Sequence, residues 1–357
     1  MRSLLSASLD WSALLQFADQ HGTSSLLFQN LEQIGEAAPP QALALLRARH
    51  QTNIHKSLFL TRELIRILDC LEPLGIEVIP YKGVVLAETL YGDMALRQSG
   101  DIDMFVRKQD VARIKKAVGE LGFVPRFTIP PAAEHNYLAA GYELTFDSAA
   151  GKNILELQWA LQPRYYAVDF DMDALFQRAV PVNVAGRSMK TPSLEDLLLV
   201  LAVHAAKHVW GRLVWLCDIA QILKRQNLDW NWIEAQAKIL GIERILRVTL
   251  LLTNRFLGAA IPANLQAAIA EDRSALRFAD EISAAVARGA TYEQEQGSYF
   301  RLMMRLRERR FDHMRFLTRL TFTPGPGEWE AIPLPAPLFP LYRLVRLGRL
   351  VARFARG

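Results

Sequence analysis

The chain is poor in cysteine and has no long apolar run. Only two cysteines, Cys70 and Cys217, occur in 357 residues, each inside an apolar helical pattern. A disulfide scaffold is thereby excluded, and both read as buried free thiols of a cytoplasmic protein. The longest apolar stretch, Leu197 to Val203 continued through Ala206, is too short for a bilayer span and contains His204. The opening Met1-Arg2-Ser3-Leu4-Leu5 leads to Asp10-Trp11 instead of an apolar region with a cleavage site, so no signal peptide is expected. There is no internal repeat and no sequence-specific nucleic-acid motif. Nucleic acid is therefore not expected as a partner. Acidic residues are missing from Leu341 to the end, where five arginines stand, and arginines dominate again from Arg301 to Arg319. The rest is close to neutral, so the positive charge points to a basic C-terminal face and against a whole-protein nucleic-acid binder.

The length exceeds one typical domain, and the patterns divide it. Residues 1 to 72 read as helical, beginning at Ser8-Leu9-Asp10-Trp11 and broken at Ala38-Pro39-Pro40. Pro73-Leu74-Gly75 marks a boundary. From 73 to 191 the pattern is α/β: a strand at 76 to 80, a Tyr81-Lys82-Gly83 turn, a helix from Val84 to Tyr91 and a strand at Asp101-Ile102-Asp103. A helix at 111 to 121 follows, with strands near 122 to 128, 141 to 147, 153 to 159 and 180 to 184. Asp147 to Lys152 carries a turn signal, which makes 141 to 159 an antiparallel hairpin. Ser193, with Asp196 three residues on, caps the start of a helical region over 192 to 322. Its helices are expected at 194 to 210, 213 to 225, 230 to 240, 243 to 257, 274 to 288 and 297 to 319. A proline-rich, extended connector and a basic amphipathic tail complete the chain over 323 to 357. The fold class is α+β: a small mixed-sheet core flanked by N-terminal helices and a C-terminal helical domain.

Asp101 and Asp103 are the most informative residues. Side chains alternate across a strand, so carboxylates at i and i+2 share a face. Two like charges held together call for a cation between them, typically Mg²⁺ (or Mn²⁺), with its preference for oxygen ligands and substrate phosphates. Upstream, Gly83 at a strand-to-helix turn lets the backbone approach a ligand, and the helix start after it favours a phosphate. Consecutive strands usually neighbour one another, which would bring cradle and acids together.

This order resembles the nucleotidyltransferase superfamily with a DNA polymerase β type of core. More narrowly, Lys82-Gly83, Leu90-Tyr91, Arg97 and Asp101-Ile102-Asp103 resemble the bacterial family described only as uncharacterised nucleotidyltransferase. The likeness continues through Glu156-Leu157-Gln158-Trp159, His204 to His208, Trp215-Leu216-Cys217-Asp218 and Trp230, over roughly residues 75 to 240. Two positions depart from it. Val84 follows Gly83 where the superfamily has a phosphate-touching serine, and Gln158 stands where this family would have a histidine. The resemblance implies a Mg²⁺-dependent enzyme that takes a nucleoside triphosphate (NTP, with ATP among them) as substrate. It would move the nucleotidyl group to an unidentified hydroxyl or phosphate acceptor and release pyrophosphate.

Other residues complete the expected site. Glu156 is an acid among apolar residues, where an unpaired charge is costly, and serves as third metal ligand and base, or else as a surface glutamate of an edge strand. Lys82 and Arg97 are the phosphate partners, Arg97 through its bidentate fork or else in an ion pair with Asp101 or Asp93. His204 and His208 share a helix face at the spacing zinc sites use, but the glutamate of a His-Glu-x-x-His motif and a third ligand are missing. They read as core histidines bonded to carbonyls or Asp218, or with Lys207 as substrate-facing groups. The arginine-rich tail either lies on an anionic membrane or acidic partner, or docks on its own protein with arginine stems over apolar surface. The alternative function is a catalytically silent nucleotide-binding scaffold of a biosynthetic or toxin–antitoxin system. A third is phosphoryl transfer by the same core.

Overall fold

A computed structural model describes residues 9–34, 38–127, 131–148, 151, 154–225, 227–289, 297–332 and 334–356. Ser8 and the first residues of the chain lie outside these, as does part of the 147 to 152 turn.

Three helices lead: α1 (Trp11–Gln20), α2 (Ser24–Ile34) and α3 (Pro40–Leu71). Asp10 caps α1 by accepting from the Ala13 amide at 3.0 Å. The first half of α3 packs Ala42 and Leu46 against Leu15, Phe28 and Leu31 of α1 and α2. Its second half buries Leu60, Leu64, Ile67 and Leu71 under the sheet. One continuous helix, ending before the Pro73-Leu74-Gly75 break, therefore packs against both the N-terminal helices and the α/β core.

The core runs β1 (Val78–Pro80), α4 (Gly83–Leu86, continued by a π turn over Ala87–Tyr91), β2 (Asp101–Val106), α5 (Val111–Glu120), β3 (Phe123–Pro125), α6 (Pro131–Ala140), β4 (Glu143–Ser148) and β5 (Ile154–Gln158). The sheet order is β1-β2-β5-β4-β3, with β2 and β5 parallel and the other pairs antiparallel. The expected hairpin is β4–β5. Strand alternation sorts the residues: Ile102, Met104, Val106, Leu155 and Leu157 face α3 and α5 in one core. Asp101, Asp103, Glu156 and Gln158 consequently face the other way, toward the helical region.

That region follows α7 (Met172–Arg178) and the ribbon β6 (Val180–Val184) and β7 (Arg187–Thr191). It contains α8 (Leu194–Lys207), α9 (Leu213–Leu223), α10 (Trp230–Leu240), α11 (Glu243–Leu257), α12 (Ala263–Glu271) and α13 (Arg273–Ala287). Ser193 caps α8 as expected, accepting from the Asp196 amide at 3.2 Å. Helix α8 is apolar nearly all round, and its residues from Leu197 to Val203 are buried because α9, α10 and α11 pack about it.

Three expectations are corrected at the C-terminal end. The single helix over 297 to 319 is two, α14 (Gly297–Arg305) and α15 (Arg310–Phe322). Arg307 turns inward over the Tyr166 ring at 4.9 Å, and Arg244 takes the freed carbonyls of Arg305 and Arg307 at 3.0 and 2.9 Å. The proline-rich connector is not extended throughout: it forms α16 (Pro326–Ala331) and a 3₁₀ turn over Ala336–Leu341. Pro326 at the first helical position needs no partner for an N–H, and the Glu328 carboxylate reaches back to the Gly325 amide at 2.8 Å. The tail is a helix, α17 (Tyr342–Arg356), docked on α15 and α16, but its arginines do not form one outer face. Arg346 is buried, with Nε donating to Leu320 O at 3.1 Å and Nη1 on Glu328 at 3.4 Å. Arg349 reaches Glu328 from the next turn at 3.2 Å, while Leu344 and Val351 are 63% and 69% exposed.

Glu328, only 1% exposed, thus pins the connector to the tail. Glu328→Ala leaves Arg346 charged and unpaired in the interior and is expected to cost about 3 to 5 kcal/mol. The measurement is the urea unfolding midpoint, and an unchanged midpoint would remove this anchoring role.

Candidate active site

The candidate side chains gather where the acidic face of the sheet meets the end of α8. Parallel pairing of β2 with β5 sets Asp103 directly beside Glu156. One carboxylate oxygen each from Asp101, Asp103 and Glu156 falls within 4.8 Å of the others. The set is three hard oxygen donors with no sulfur or imidazole, the chemistry that suits Mg²⁺ or Mn²⁺. Burial, then the charges of Asp103 and Glu143, push the Glu156 carboxyl up to about 8. Burial and the Asp103 charge raise Asp101 to about 6. These acids are held where their ionised forms lack compensation, the condition a bound cation relieves.

Among the described residues, Lys82 supplies the ion pair of this group, its Nζ 2.9 Å from Asp103 Oδ1. Burial works against its charge, but the Asp103 carboxylate holds Lys82 protonated well above the usual lysine range. The turn that carries it demands glycine next. Gly83 has φ +58°, and a Cβ there would sit 3.1 Å from the Asp101 carbonyl oxygen. The close approach expected of this glycine is thus first of all to the Asp101 strand itself.

Gln158 fixes Glu156. Its Oε1 accepts from Tyr81 Oη at 2.6 Å, and its Nε2 donates to Glu156 Oε2 at 3.0 Å and Glu143 Oε2 at 3.2 Å. An amide does here what an imidazole donor would do, orienting the carboxylate from the adjacent strand position. Arg97 is placed differently from the expectation. Its Nε and Nη2 fork onto Asp218 of α9 at 2.9 Å, and Nη1 donates to Ser99 Oγ at 3.3 Å. Asp218 also accepts from Tyr91 Oη at 2.8 Å. Arg97 is thereby committed to Asp218, not to Asp101 or Asp93, and positions Ser99 beside Gly83.

Helix α8 ends at Lys207 because the chain turns left-handed at Val209 and Trp210, with φ of +52° and +49°. Such geometry is costly for these residues, and burial of Trp210 with its Nε1 on Thr249 Oγ1 at 2.9 Å holds it. The result aims His204, Lys207, His208 and Arg212 into the cleft. The two imidazoles lie 4.7 Å apart against Trp215. Burial and then nearby lysines keep both neutral, His208 down to about 3 and His204 well below its ordinary value. Among the described residues they join no metal-ligating cluster. Lys207 Nζ donates to Tyr142 Oη at 3.0 Å, and that hydroxyl donates to Glu143.

The cleft encloses about 560 Å³ and unites every expected site residue: Lys82, Gly83, Arg97, Asp101, Asp103, Glu156, His204, Lys207 and His208. It also contains residues the sequence reading passed over, namely Tyr81, Ser99, Tyr142, Glu143 and Arg212. Glu143 stands opposite Gln158 only because of the β4–β5 register, and the turn signal alone could not set that register. Ser99 had one signal, a hydroxyl two residues before the acidic pair.

A family model described as "Uncharacterised nucleotidyltransferase" matches residues 7–258. No curated protein matches the chain. Among solved structures, ANT(2″)-Ia in complex with adenylyl-2″-tobramycin is similar with a TM-score of 0.37 and 13% identity, covering 50% of this chain and 95% of that one. An antigenic nucleotidyltransferase-like protein from Paracoccidioides brasiliensis has a TM-score of 0.35 and 14% identity, covering 60% of this chain and 92% of its own.

The raised carboxyl predicts a pH signature. A group at about 8 in the folded chain and near 4.3 when unfolded binds more protons folded, so stability falls as pH rises between those values. Below about 6.5 the neutral buried histidines oppose this, because the unfolded chain then takes up their protons. The expected result is a melting temperature that drops from pH 6.5 to 8 without divalent metal and is restored by millimolar Mn²⁺. A flat metal-free profile would sink the assignment.

Proposed function

The chain belongs to the family described as uncharacterised nucleotidyltransferase, and on that premise we propose that it is a Mg²⁺-dependent transferase of nucleotidyl groups. The donor is a nucleoside triphosphate, the acceptor carries a hydroxyl, and pyrophosphate is released. The observation that carries this reading is the convergence of Asp101, Asp103 and Glu156 within 4.8 Å beside the Lys82-Gly83 turn. Asp101 and Asp103 would hold the metal, with Glu156 as third ligand. When bound, the ion supplies charge neutralisation at the triphosphate and orientation of its phosphates.

The rest follows from the chain's own groups. Lys82 is a tethered cation 2.9 Å from Asp103, able to swing to a phosphate oxygen once the carboxylates are otherwise compensated. Ser99 offers a hydroxyl at the same turn, where Val84 has none. In the transfer, the acceptor oxygen bonds to the α-phosphorus, the bond from that phosphorus to the bridging oxygen breaks, and pyrophosphate carries the electron pair away. The acceptor's proton goes to the Glu156 carboxylate, in the ionised form that a metal ligand takes. Positioning and charge stabilisation account for most of such catalysis. Transfer of a nucleotidyl group is distinguished from phosphoryl transfer by the product, pyrophosphate against a nucleoside diphosphate.

A second reading, a nucleotide-binding scaffold without catalysis, is favoured by one observation. The Lys82–Asp103 pair compensates part of the acidic cluster from within the protein.

Asp101→Asn with Asp103→Asn should lower pyrophosphate release from ATP about a thousandfold, roughly 4 kcal/mol of transition-state stabilisation. Circular dichroism should stay unchanged. Full activity in the double variant, or no pyrophosphate from the parent with any NTP, would sink the proposal. Lys82→Met should tighten Mn²⁺ binding without nucleotide, seen by electron paramagnetic resonance, while weakening ATP binding by about tenfold. Loss of Mn²⁺ affinity instead would show that the lysine does not compete with the ion.

A further inference from the structure

A second cavity adjoins the acidic cleft. It encloses about 270 Å³, and its lining shares Tyr142, Glu143 and Lys207 with the cleft. The sheet order β1-β2-β5-β4-β3 gives the two spaces a direction. Lys82 and Gly83 follow β1 at one side, the acidic cluster spans β2 and β5, and Glu143 and Thr145 stand on β4 beyond. Thr145 is directly opposite Glu156 in the β4–β5 register and lines the second cavity. In-line displacement at phosphorus requires the incoming and leaving oxygens on opposite sides. With the triphosphate tail toward Lys82, the incoming oxygen arrives from the β4 side.

The lining says what could arrive. Phe127, Tyr137, Tyr142 and Tyr165 give it aromatic walls, which suit the C–H face of a ring. Its charged residues are two acids, Glu143 and Glu328, and two bases, Lys207 and Arg346. They compensate one another: Lys207 through Tyr142 to Glu143, and Arg346 on Glu328. Arg346 is 3% exposed and is held by the Leu320 carbonyl and Glu328. The volume lies below the usual range for drug-sized ligands, about 300 to 1,000 Å³.

Resting on the transferase reading above, we infer that this chamber is the acceptor subsite and that it takes a small, uncharged, hydroxyl-bearing ring compound. Glu143 and Thr145 are its polar contacts on the sheet. A phosphate-bearing acceptor would place its charge beside Glu143 in a wall whose bases are already engaged. The outer wall, residues 323 to 328 held by Arg346, lies beyond the 7–258 family match. Choice of acceptor is therefore set partly by a segment outside that match.

The test uses the full chain and three probes, methyl α-glucoside, myo-inositol and glucose 6-phosphate, followed by saturation-transfer NMR. The two neutral rings are expected to bind and to be weakened about tenfold or more by Thr145→Trp, which fills the chamber. Thr145→Val, which keeps the size, should lose much less. ATP with Mn²⁺, followed by calorimetry, should bind Thr145→Trp within about twofold of the parent, which also reports that the variant is folded. The inference is overturned if neither neutral ring binds, if glucose 6-phosphate binds more tightly than both, or if Thr145→Trp leaves ring binding unchanged. Ring binding without pyrophosphate release would remove the transferase reading and keep the chamber; pyrophosphate release without ring binding would do the reverse.

Discussion

The charge balance at Asp103 organises the site. This carboxylate is 3% exposed, sits beside Glu156 on the neighbouring strand, and among the described residues is compensated at contact distance by Lys82. Removing charge from water is costly, and the cost is met only by good geometry or by an added cation. The surrounding structure reads as a set of answers to that constraint. Gly83 brings the lysine turn against the Asp101 carbonyl, and Gln158 donates to Glu156 and Glu143 together. The imidazoles of His204 and His208 are kept neutral, so the end of α8 and the turn after it add little positive charge beyond Lys207 and Arg212.

A second buried pair ties the sheet to the helices. Arg97 lies in the loop before β2, and Asp218 lies in α9, yet the two form a fork with Tyr91 as third member. Because Arg97 also holds Ser99, the orientation of α9 is transmitted to the turn beside the acidic pair. At the far end, Glu328 plays the same part for the tail, gathering Arg346 and Arg349 into the protein. The positive character of the C-terminal sequence is thus partly internal, used to hold a wall next to the acidic cleft. Among the described residues no helix is long and apolar enough to cross a membrane.

Much of the local architecture was legible in the sequence. The β2 acids, the β4–β5 hairpin, the helix start near Asp10-Trp11, the cap at Ser193 and most helices of the C-terminal region follow from spacing, because each depends on neighbours two to four residues away. The errors have local causes too. Arg307 looks like an ordinary helical residue until its burial against Tyr166 breaks the helix. The proline-rich connector reads as extended until Glu328 caps Gly325 and starts a turn of helix.

What the sequence by itself determined is the cast of the site: two acids on one strand face, a glycine that only a left-handed turn requires, and a third acid whose apolar neighbours force it into the same sheet. Tertiary structure decided the pairings. Arg97 could equally have met Asp93 or Asp101 by proximity along the chain, but packing of α9 brought Asp218 to it from 121 residues away. Likewise Glu143 joined the cleft through strand register, and the chamber beside it exists because a distant connector folds over β4. The reason is physical. Alternation and helical period are set by the backbone within a few residues, whereas the partner of a buried charge is chosen by whichever long-range packing satisfies it best.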